Sequence, residues 1–353
     1  MTIAGDGGEG LSGDGGNAIR ARFNAPAHCA FDAAGSLFIA DMKNHCVRMM
    51  DLVDGDIQRF AGTGTPGYEG DGGPAESALL NEPFGIAVAH NGDVYVSDRG
   101  NRAIRKVDSD SGHISTLVDS DALQAPAGLA IDNEGHLLIC DPAAHRVLRL
   151  NLATCETSTF AGTGEAGQAD DGDIAASARL NEPFAVAVDG DGNVFICEAA
   201  GNRVVCVEPD GLIYLFAGTG VAGASGDDGP ADAATFNGPK GIACDSSGNV
   251  VIADTGNCAV RAVPADSSNI YRIAGGKRGF SGDESRATFA SLADPLGCAI
   301  DADGAVYIMD AGNNRIRVVD DSGLIGHGED YEDDEDDDAG MPARSRRDDY
   351  EDE

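Results

Sequence analysis

The sequence contains no tryptophan, and aromatic residues make up only 5% of its 353 positions. Cations are also scarce, because 24 lysines and arginines stand against 60 aspartates and glutamates, which leaves a formal net charge of −36. This charge opposes binding to nucleic-acid phosphates and to anionic membranes. We therefore expect a protein or peptide partner, one with basic character being favoured.

Long apolar runs and paired cysteine motifs are absent as well. No run approaches the roughly 20 apolar residues needed to span a membrane, and the N-terminus MTIAGDGGEG lacks the basic and apolar regions of a signal peptide. The nine cysteines are odd in number, include no C-x-x-C pair and mostly lie in apolar runs. These features predict buried, reduced thiols and favour a cytoplasmic protein.

Glycine, in contrast, is abundant, with 49 copies that separate short apolar runs. The stretch from Asn81 to Val107 contains three such runs, divided by the turn signals Asn91-Gly92 and Asp98 to Asn101. Short β-rich runs separated by turns of this type are typical of an antiparallel meander. The same phrase recurs along the chain and organises it.

Six copies of this phrase align, and each has an acidic residue at the end of its second run. These residues are Asp41, Asp98, Asp141, Glu198, Asp254 and Asp310. Repeats of roughly 50 residues with several short strands are typical of β-propellers. The sequence predicts an all-β, six-bladed β-propeller of four-stranded antiparallel blades over residues 1–325, whose N-terminal strand closes the last blade. Residues 326–353 are predicted to be an acidic, disordered tail.

Five of the connections between repeats are long, glycine-rich inserts, and each has an aspartate at one aligned position. These aspartates are Asp14, Asp71, Asp171, Asp227 and Asp283. In an up-and-down blade the connections after the second and fourth strands emerge on the same face, so both sets of carboxylates are predicted to share it. An acidic, insert-bearing face attracts cations and is our candidate binding surface.

The repetition of these carboxylates favours structural roles. Asp41, Asp98, Asp141, Asp254 and Asp310 are predicted to accept hydrogen bonds from turn amides. The insert aspartates are expected to cap short helical turns such as Ala75 to Leu80. Calcium bound by the insert aspartates is the alternative, since carboxylates on flexible backbone suit a hard cation; no other cofactor is indicated.

Positions that depart from the repeat are the better candidates for binding residues. His28 occupies a slot that holds glycine or alanine in the other copies, at the start of an innermost strand. Glu198 replaces the usual aspartate, and Lys240 follows Pro239 where other copies have alanine, phenylalanine or leucine. A histidine, a glutamate and a lysine around one channel could provide acid–base or metal chemistry, although neutral variation explains such scattered changes as well.

The recurring motifs N-x-P-x-G-[IL]-A, [YF]-[VI]-x-D-x-x-N-x-x-[IV]-R and A-G-T-G-x-x-G-x-x-G-D-G-G-P-A resemble the NHL-repeat family. The resemblance runs from Ile3 to about Ile325 and is to the long-insert subtype of NHL-repeat-containing proteins and the teneurin propeller. It implies a six-bladed propeller, whereas its members range from binding scaffolds to a few enzymes.

These observations favour a non-enzymatic scaffold that binds a protein or peptide through the acidic, insert-bearing face. The alternative that the resemblance offers is a metal-dependent hydrolase or lyase, similar to gluconolactonases, with its site in the central channel. Those enzymes draw carboxylate and asparagine ligands from the ends of inner strands, where this sequence has mostly glycine and alanine. RNA binding, known among animal NHL proteins, would need a basic face.

Overall fold

A computed structural model describes residues 1–320 of the chain, and the predicted tail, residues 326–353, lies outside the described residues. The strands form six antiparallel sheets. The innermost strand of each sheet contacts the innermost strands of the two neighbouring sheets, so the sheets close into a ring around a central channel. The predicted all-β, six-bladed propeller is therefore confirmed.

The strands of each blade are labelled A to D from the channel outward. Blade 1 contains Pro26–Phe31, Leu37–Asp41, Cys46–Met50 and Asp56–Ala61. Blade 2 contains Pro83–Val88, Val94–Asp98, Ala103–Val107 and Ile114–Val118. Blade 3 contains Leu129–Ile131, Leu137–Asp141, Arg146–Leu150 and Thr157–Ala161.

Blades 4 and 5 follow the same order along the chain. Blade 4 contains Pro183–Val188, Val194–Glu198, Arg203–Val207 and Leu212–Ala217. Blade 5 contains Gly241–Cys244, Val250–Asp254, Ala259–Val263 and Asn269–Gly275. Blade 6 contains Pro295–Ile300, Val306–Asp310 and Arg315–Val319, and its strand D is Thr2–Ala4 from the N-terminus.

The N-terminal strand therefore closes blade 6, as predicted. Thr2–Ala4 pairs antiparallel with strand C of this blade, and the N-terminal ammonium of Met1 donates a hydrogen bond to the carbonyl of Val318 (2.7 Å). The hydroxyl of Thr2 donates to Asp283 (2.7 Å), and Ala4 is fully buried. A strand edge that would otherwise be free for pairing with another chain is thus covered.

The inserts add outer edges that the sequence did not predict. Parts of three of them pair with strand D of the blade that they precede and give those blades a fifth, two-residue strand. These strands are Gly16–Asn17, Asp173–Ile174 and Gly229–Pro230. The inserts thus run along the rim of the disc and cover the edges of strands D.

Ten 3-10 helices of three residues lie within the described part of the chain. Those in the inserts are Ala18–Arg20, Ala75–Ser77, Ala175–Ser177, Ala231–Ala233 and Ala287–Phe289. Those after strands B are Met42–Asn44, Arg99–Asn101, Pro142–Ala144, Thr255–Asn257 and Ala311–Asn313. Within residues 1–320, no helix has the length and hydrophobicity that crossing a membrane requires.

The hydrophobic core lies between adjacent blades, where alternate side chains of two neighbouring sheets meet. Each insert ends in a large apolar residue that enters this core. These residues are Phe23, Leu80, Leu180, Phe236 and Leu292. Burial of one such side chain contributes about 2 kcal/mol, so each insert is anchored at its end while its middle remains at the surface.

Candidate functional site

The acidic residues at the ends of strands B are fully buried. The backbone N–H of Asn24, in the incoming loop, donates to Oδ1 of Asp41 (2.8 Å), and the side-chain amide of Asn44 donates to Oδ2 (2.8 Å). The same two contacts recur at Asp98, Asp254 and Asp310. These contacts tie each turn after strand B to the loop that enters the blade.

Asp141 and Glu198 complete this set of buried carboxylates. Asp141 accepts hydrogen bonds from the backbone N–H groups of Gln124 and Ala125, and Glu198 accepts one from the N–H of Asn181. Burial raises the pKa of Asp41 to about 7 and that of Asp310 to about 6, although the donated hydrogen bonds act in the opposite direction. None of the six is available at the surface to attract a ligand.

Four of the five insert aspartates pair with a buried arginine on strand C of the same blade. In blade 5, Nε of Arg261 donates to Oδ1 of Asp227 (2.8 Å), while its two terminal nitrogens donate to the carbonyls of Thr235 (2.8 Å) and Ser225 (3.1 Å). The equivalent pairs are Arg48–Asp14, Arg105–Asp71 and Arg317–Asp283. We call this arrangement the arginine clasp, because it fastens four of the five inserts to their blades.

The clasp bears on the calcium prediction. Asp14, Asp71, Asp227 and Asp283 each direct a carboxylate oxygen to a guanidinium, and Asp171 accepts the backbone N–H of Leu215 (2.7 Å). In residues 1–320 no three histidine, cysteine or acidic side chains are placed to hold a metal ion. Calcium binding stays a prediction, and at the four clasped aspartates calcium would compete with an arginine for the carboxylate.

The expected helix-capping role of the insert aspartates is wrong for the 3-10 helix that follows Asp71. This helix, Ala75–Ser77, has Pro74 at its N-cap and receives no side-chain cap hydrogen bond. Asp71 instead accepts from Arg105 (2.6 Å) and from the backbone N–H of Thr116 (3.2 Å). Asp71 therefore pairs with Arg105 of strand C instead of capping the helical turn, which is the role that the local sequence had predicted.

Blades 3 and 4 lack the clasp arginine, and Leu148 and Val205 occupy its position on strand C. In both blades an arginine lies two residues earlier and pairs with the acidic residue of strand B. Arg146 approaches Asp141 (3.9 Å), and Arg203 donates from Nε to Glu198. Glu198 therefore performs the same task as the aspartates, and the shifted arginine is the sequence signal that could have shown it.

His28 lies on strand A of blade 1 and lines the central channel. Its side chain is buried, with 6% exposure, and its Nδ1 has no hydrogen-bond partner in the described structure. Burial lowers the pKa of His28 to about 4, so the imidazole is neutral at pH 7. The glycine opposite it in blade 6 makes room, since a Cβ on Gly297 would lie 3.3 Å from the ring.

Lys240 lies at the end of the channel where strands A begin. Its Nζ is 5.3 Å from the ring centroid of Phe184, and the guanidinium of Arg99 lies 5.4 Å from the same ring and 5.9 Å from that of Phe84. The two rings meet edge to face, with centroids 5.1 Å apart. Phe84 and Phe184 are buried, so aromatic and cationic side chains close this end of the channel.

His28, Glu198 and Lys240 therefore do not assemble one site. His28 lines the channel, Glu198 is bonded within blade 4, and Lys240 covers an aromatic ring at the channel end. Apart from His28 and three cysteines, the side chains that line the channel are aliphatic or aromatic, without a carboxylate. This donor set does not fit the divalent metal of the alternative enzymatic function, so we derive no step through one.

Two sides of the disc can now be defined by their connections. The insert side carries the turns between strands B and C and the inserts. The turn side carries the turns between strands A and B and between strands C and D. Of the carboxylates expected to make the insert side acidic, six are buried and four are paired with arginine, whereas other insert residues such as Glu76 and Asp232 are exposed and keep this side negative.

The turn side is acidic as well. Every turn on it, in all blades within residues 1–320, contains aspartate or glutamate, and none contains lysine or arginine. These turns are residues 32–36, 51–55, 89–93, 108–113, 132–136, 151–156, 189–193, 208–211, 245–249, 264–268 and 301–305. The sequence does not single these turns out, because most have the form of ordinary turns in which an aspartate accepts hydrogen bonds from nearby backbone amides.

The inserts are distinguished instead by exposed apolar side chains. Among the described residues, six of the eight exposed large apolar side chains lie in inserts, the other two being Met1 and Val53. The six are Ile19, Tyr68, Ile174, Val221, Phe280 and Phe289. Phe289 has 74% exposure and Phe280 has 44%. Phe280 also lines a surface depression of about 440 Å³ formed by residues 280–285.

Comparison with known proteins agrees with this architecture. Residues 63–137 match the Teneurin NHL domain family, and residues 236–262 match the NHL repeat. Protein SUPPRESSOR OF QUENCHING 1, chloroplastic, from Arabidopsis thaliana is 27% identical over 265 residues, which cover 68% of this chain and 25% of that protein. Teneurin-3 from Danio rerio is 28% identical over 312 residues, which cover 71% of this chain and 11% of that protein.

A solved structure of a Bacteroides thetaiotaomicron protein of unknown function is similar with a TM-score of 0.69 at 20% identity, covering 90% of this chain and 74% of that chain. At this identity the similarity concerns the fold alone. The chain spans a quarter or less of the two relatives named above. The repeat motifs, the six closed blades and the two family matches together identify the chain as an NHL-repeat six-bladed β-propeller related to the teneurin NHL domain.

Proposed function

We propose that this propeller is a non-enzymatic scaffold that binds a partner protein or peptide through its inserts. The observation that carries the proposal is the concentration of exposed apolar side chains in the inserts, whereas the rest of the described surface has few. Exposed apolar groups within a polar surround are typical of protein-binding surfaces. The strongly negative chain around them favours a partner with basic groups.

The rigid mounting of the inserts supports the same proposal. In four of the five inserts, the arginine clasp and the buried residue at the end of the insert hold the loop at two points, while side chains such as Phe280 and Phe289 remain exposed. Binding to a surface that is already ordered avoids part of the entropy cost of association. Aromatic side chains also contribute more binding energy than most residues when a partner covers them.

The proposal can be tested with the exposed apolar residues. Phe280→Ser/Phe289→Ser removes two of them from one insert, and Val53→Ser removes an equally apolar, 94% exposed side chain from the turn side. Because Phe280 and Tyr68 also stack on the clasp arginines Arg317 and Arg105, the thermal midpoint of each variant is measured before its binding. Proteins captured from a lysate by each variant would be compared quantitatively. A captured protein would then be purified and its affinity measured by calorimetry.

We expect the double variant to lower the affinity for a direct partner by roughly 30-fold or more, as loss of interface aromatics does. Val53→Ser should leave the affinity unchanged. A second double variant, Tyr68→Ser/Ile174→Ser, extends the test to two other inserts. If every purified partner binds all three variants as tightly as the parent, the inserts are not the binding surface and the proposal fails.

A further inference from the structure

The central channel opens on the turn side. The last residue of each strand A is partly exposed, whereas Phe84 and Phe184 close the other end of the channel. These partly exposed residues are Phe31, Val88, Ile131, Val188, Cys244 and Ile300. A ligand can therefore reach the channel lining from the turn side of the disc.

A cleft between blades 5 and 6 joins the channel at this opening. The cleft has a volume of about 300 Å³ and includes Asp245, Ser246, Ser247 and Asp301 in its lining. Cys244 and Ile300 line both the cleft and the channel. An occupant of the cleft thus has direct access to the channel.

The two carboxylates of the cleft lack cationic neighbours that other blades provide. In blade 2, Lys106 on strand C pairs with Asp93 (2.7 Å), and in blade 3 Arg149 pairs with Asp132 (2.7 Å). The corresponding residues of blades 5 and 6 are Ala262 and Val318. Among the described residues, no lysine, arginine or histidine forms an ion pair with the carboxylates of the cleft.

Their hydrogen bonds come from neutral donors. Oδ2 of Asp245 accepts the side-chain amide of Asn249 (2.6 Å), and Asp301 accepts a hydrogen bond from the hydroxyl of Tyr307 on strand B. Oδ1 of Asp245 accepts the N–H groups of Ser247 and Asn249 (both 2.9 Å), and Oδ1 of Asp301 accepts those of Asp303 (3.0 Å) and Ala305 (2.9 Å). These bonds hold both carboxylates in place without neutralising them. Two fixed carboxylates beside a cleft match the planar, multiply donating guanidinium of arginine or the ammonium of lysine.

His28 supplies an independent indication of a ligand within the channel. It is buried, lines the same channel, and leaves Nδ1 without a hydrogen-bond partner in the described structure. An unsatisfied polar group of this kind costs about 1 to 3 kcal/mol, and five of the six copies avoid the cost with glycine or alanine at the same slot.

We propose that the turn side is a second binding surface, which takes a basic segment of a partner protein. A lysine or arginine of that segment lies in the cleft between Asp245 and Asp301, and an adjacent side chain enters the channel and bonds His28. This surface is separate from the inserts, so either proposal can fail while the other stands.

The test uses the full chain and a labelled nine-residue peptide with three arginines around a central tyrosine, followed by fluorescence anisotropy. The variant Asp245→Asn/Asp301→Asn removes both charges but keeps the oxygens that accept the turn amides. The matched control Glu76→Gln/Asp232→Asn changes the net charge equally at exposed insert positions. A peptide with phenylalanine in place of tyrosine tests the contact with His28.

We expect the cleft variant to bind the peptide about tenfold more weakly, as loss of charge-assisted hydrogen bonds implies, with little change in the control. The phenylalanine peptide should bind the parent more weakly than the tyrosine peptide, and His28→Ala should abolish that difference. Binding of the parent should also weaken as salt is added.

Three outcomes would overturn the proposal. Equal losses of peptide affinity in the cleft and control variants would show that the peptide binds only by general charge attraction. Complete displacement of the peptide by calcium would show that the carboxylates of the cleft form a metal site and not a peptide site. Tighter peptide binding after Arg344, Arg346 and Arg347 are replaced by alanine in the full chain would show that the chain's own segment is the occupant.

Discussion

At the scale of single residues, the most informative side chain is one that departs from the repeat and gains no hydrogen-bond partner. The acidic residues of strands B, including the atypical Glu198, all have partners, as do the insert aspartates. His28 does not, although it is buried. Its neutral state is imposed by burial, and protonation would place a charge where no described carboxylate pairs with it.

This state predicts a pH-dependent stability. The folded pKa of His28 is about 4 against an ordinary value of 6.5, so between these values the unfolded chain binds more protons than the folded one. Stability from this residue is complete above pH 6.5 and is lost as the pH falls through 4, by about 3 kcal/mol in all. Urea unfolding of the parent and of His28→Ala at several pH values would measure it.

The difference in the free energy of unfolding between the parent and His28→Ala isolates the contribution of His28, because Asp41 and Asp310 are present in both proteins. Their raised pKa values act in the opposite sense, removing stability as the pH rises from about 4 to about 7. If the free energies of unfolding of parent and variant run parallel from pH 4 to 6.5, His28 is protonated as easily in the folded protein as in the unfolded one.

At the scale of structural elements, the arginine clasp explains how glycine-rich inserts remain ordered. Each clasp arginine reaches two insert carbonyls and the insert aspartate, and it also approaches the buried aspartate of strand B. The sequence motif already contains both the arginine and the aspartate at fixed spacing. Their contact was not predicted, because residues on a strand and in a distant loop meet only through the pairing of the blade.

Breaking one clasp should destabilise the protein markedly. Arg261→Val copies the residue that blade 4 has at this position, and it leaves the carboxylate of Asp254 buried without its cation. We expect a loss of about 3 to 5 kcal/mol in the free energy of unfolding, measured by urea denaturation. Hydrogen exchange should increase in residues 218–236, the insert that the arginine fastens.

Two further variants test whether the stability lost in Arg261→Val comes from the clasp. Asp227→Asn removes the partly exposed member of the clasp and should cost only about 1 kcal/mol. Ala259→Arg added to Arg261→Val reproduces the shifted arginine of blades 3 and 4 and should recover part of the stability. A loss in Arg261→Val no larger than that in Asp227→Asn would mean that the clasp contributes little.

At the scale of the whole molecule, the ring depends on its N-terminal strand. Removal of residues 1–6 deletes Thr2–Ala4, exposes the edge of strand C in blade 6 and takes Ala4 from the core. We expect a lower thermal midpoint, by about 5 °C or more, and self-association through the exposed edge. Calorimetry and light scattering would measure the two effects.

Removal of residues 326–353 is the matched truncation for this experiment. It also shortens the chain at one end, but it leaves every described contact in place, so the thermal midpoint should not change. If both truncations have the same midpoint as the full chain, closure of the ring by the N-terminal strand contributes nothing to its stability.

The whole molecule also decides where charge and apolar surface lie. Aspartates are spread along the entire sequence, and the alignment of repeats suggested that the insert side collects them. Folding buries the six acidic residues of strands B, five aspartates and Glu198, pairs four insert aspartates with arginines, and leaves the turn side with carboxylates and no lysine or arginine in its described turns. Both sides therefore carry exposed carboxylates, and what distinguishes the turn side is that its described turns contain no lysine or arginine.

The sequence by itself determined the repeat, the number of blades, the strand order and the closure by the N-terminus. These features follow from local turn chemistry and from apolar periodicity, which are properties of neighbouring residues. Only the tertiary structure decided which carboxylates are buried, which are paired with arginine and which face solvent. Those outcomes depend on contacts between blades and between inserts and strands, where residues far apart in the chain compete for the same partners.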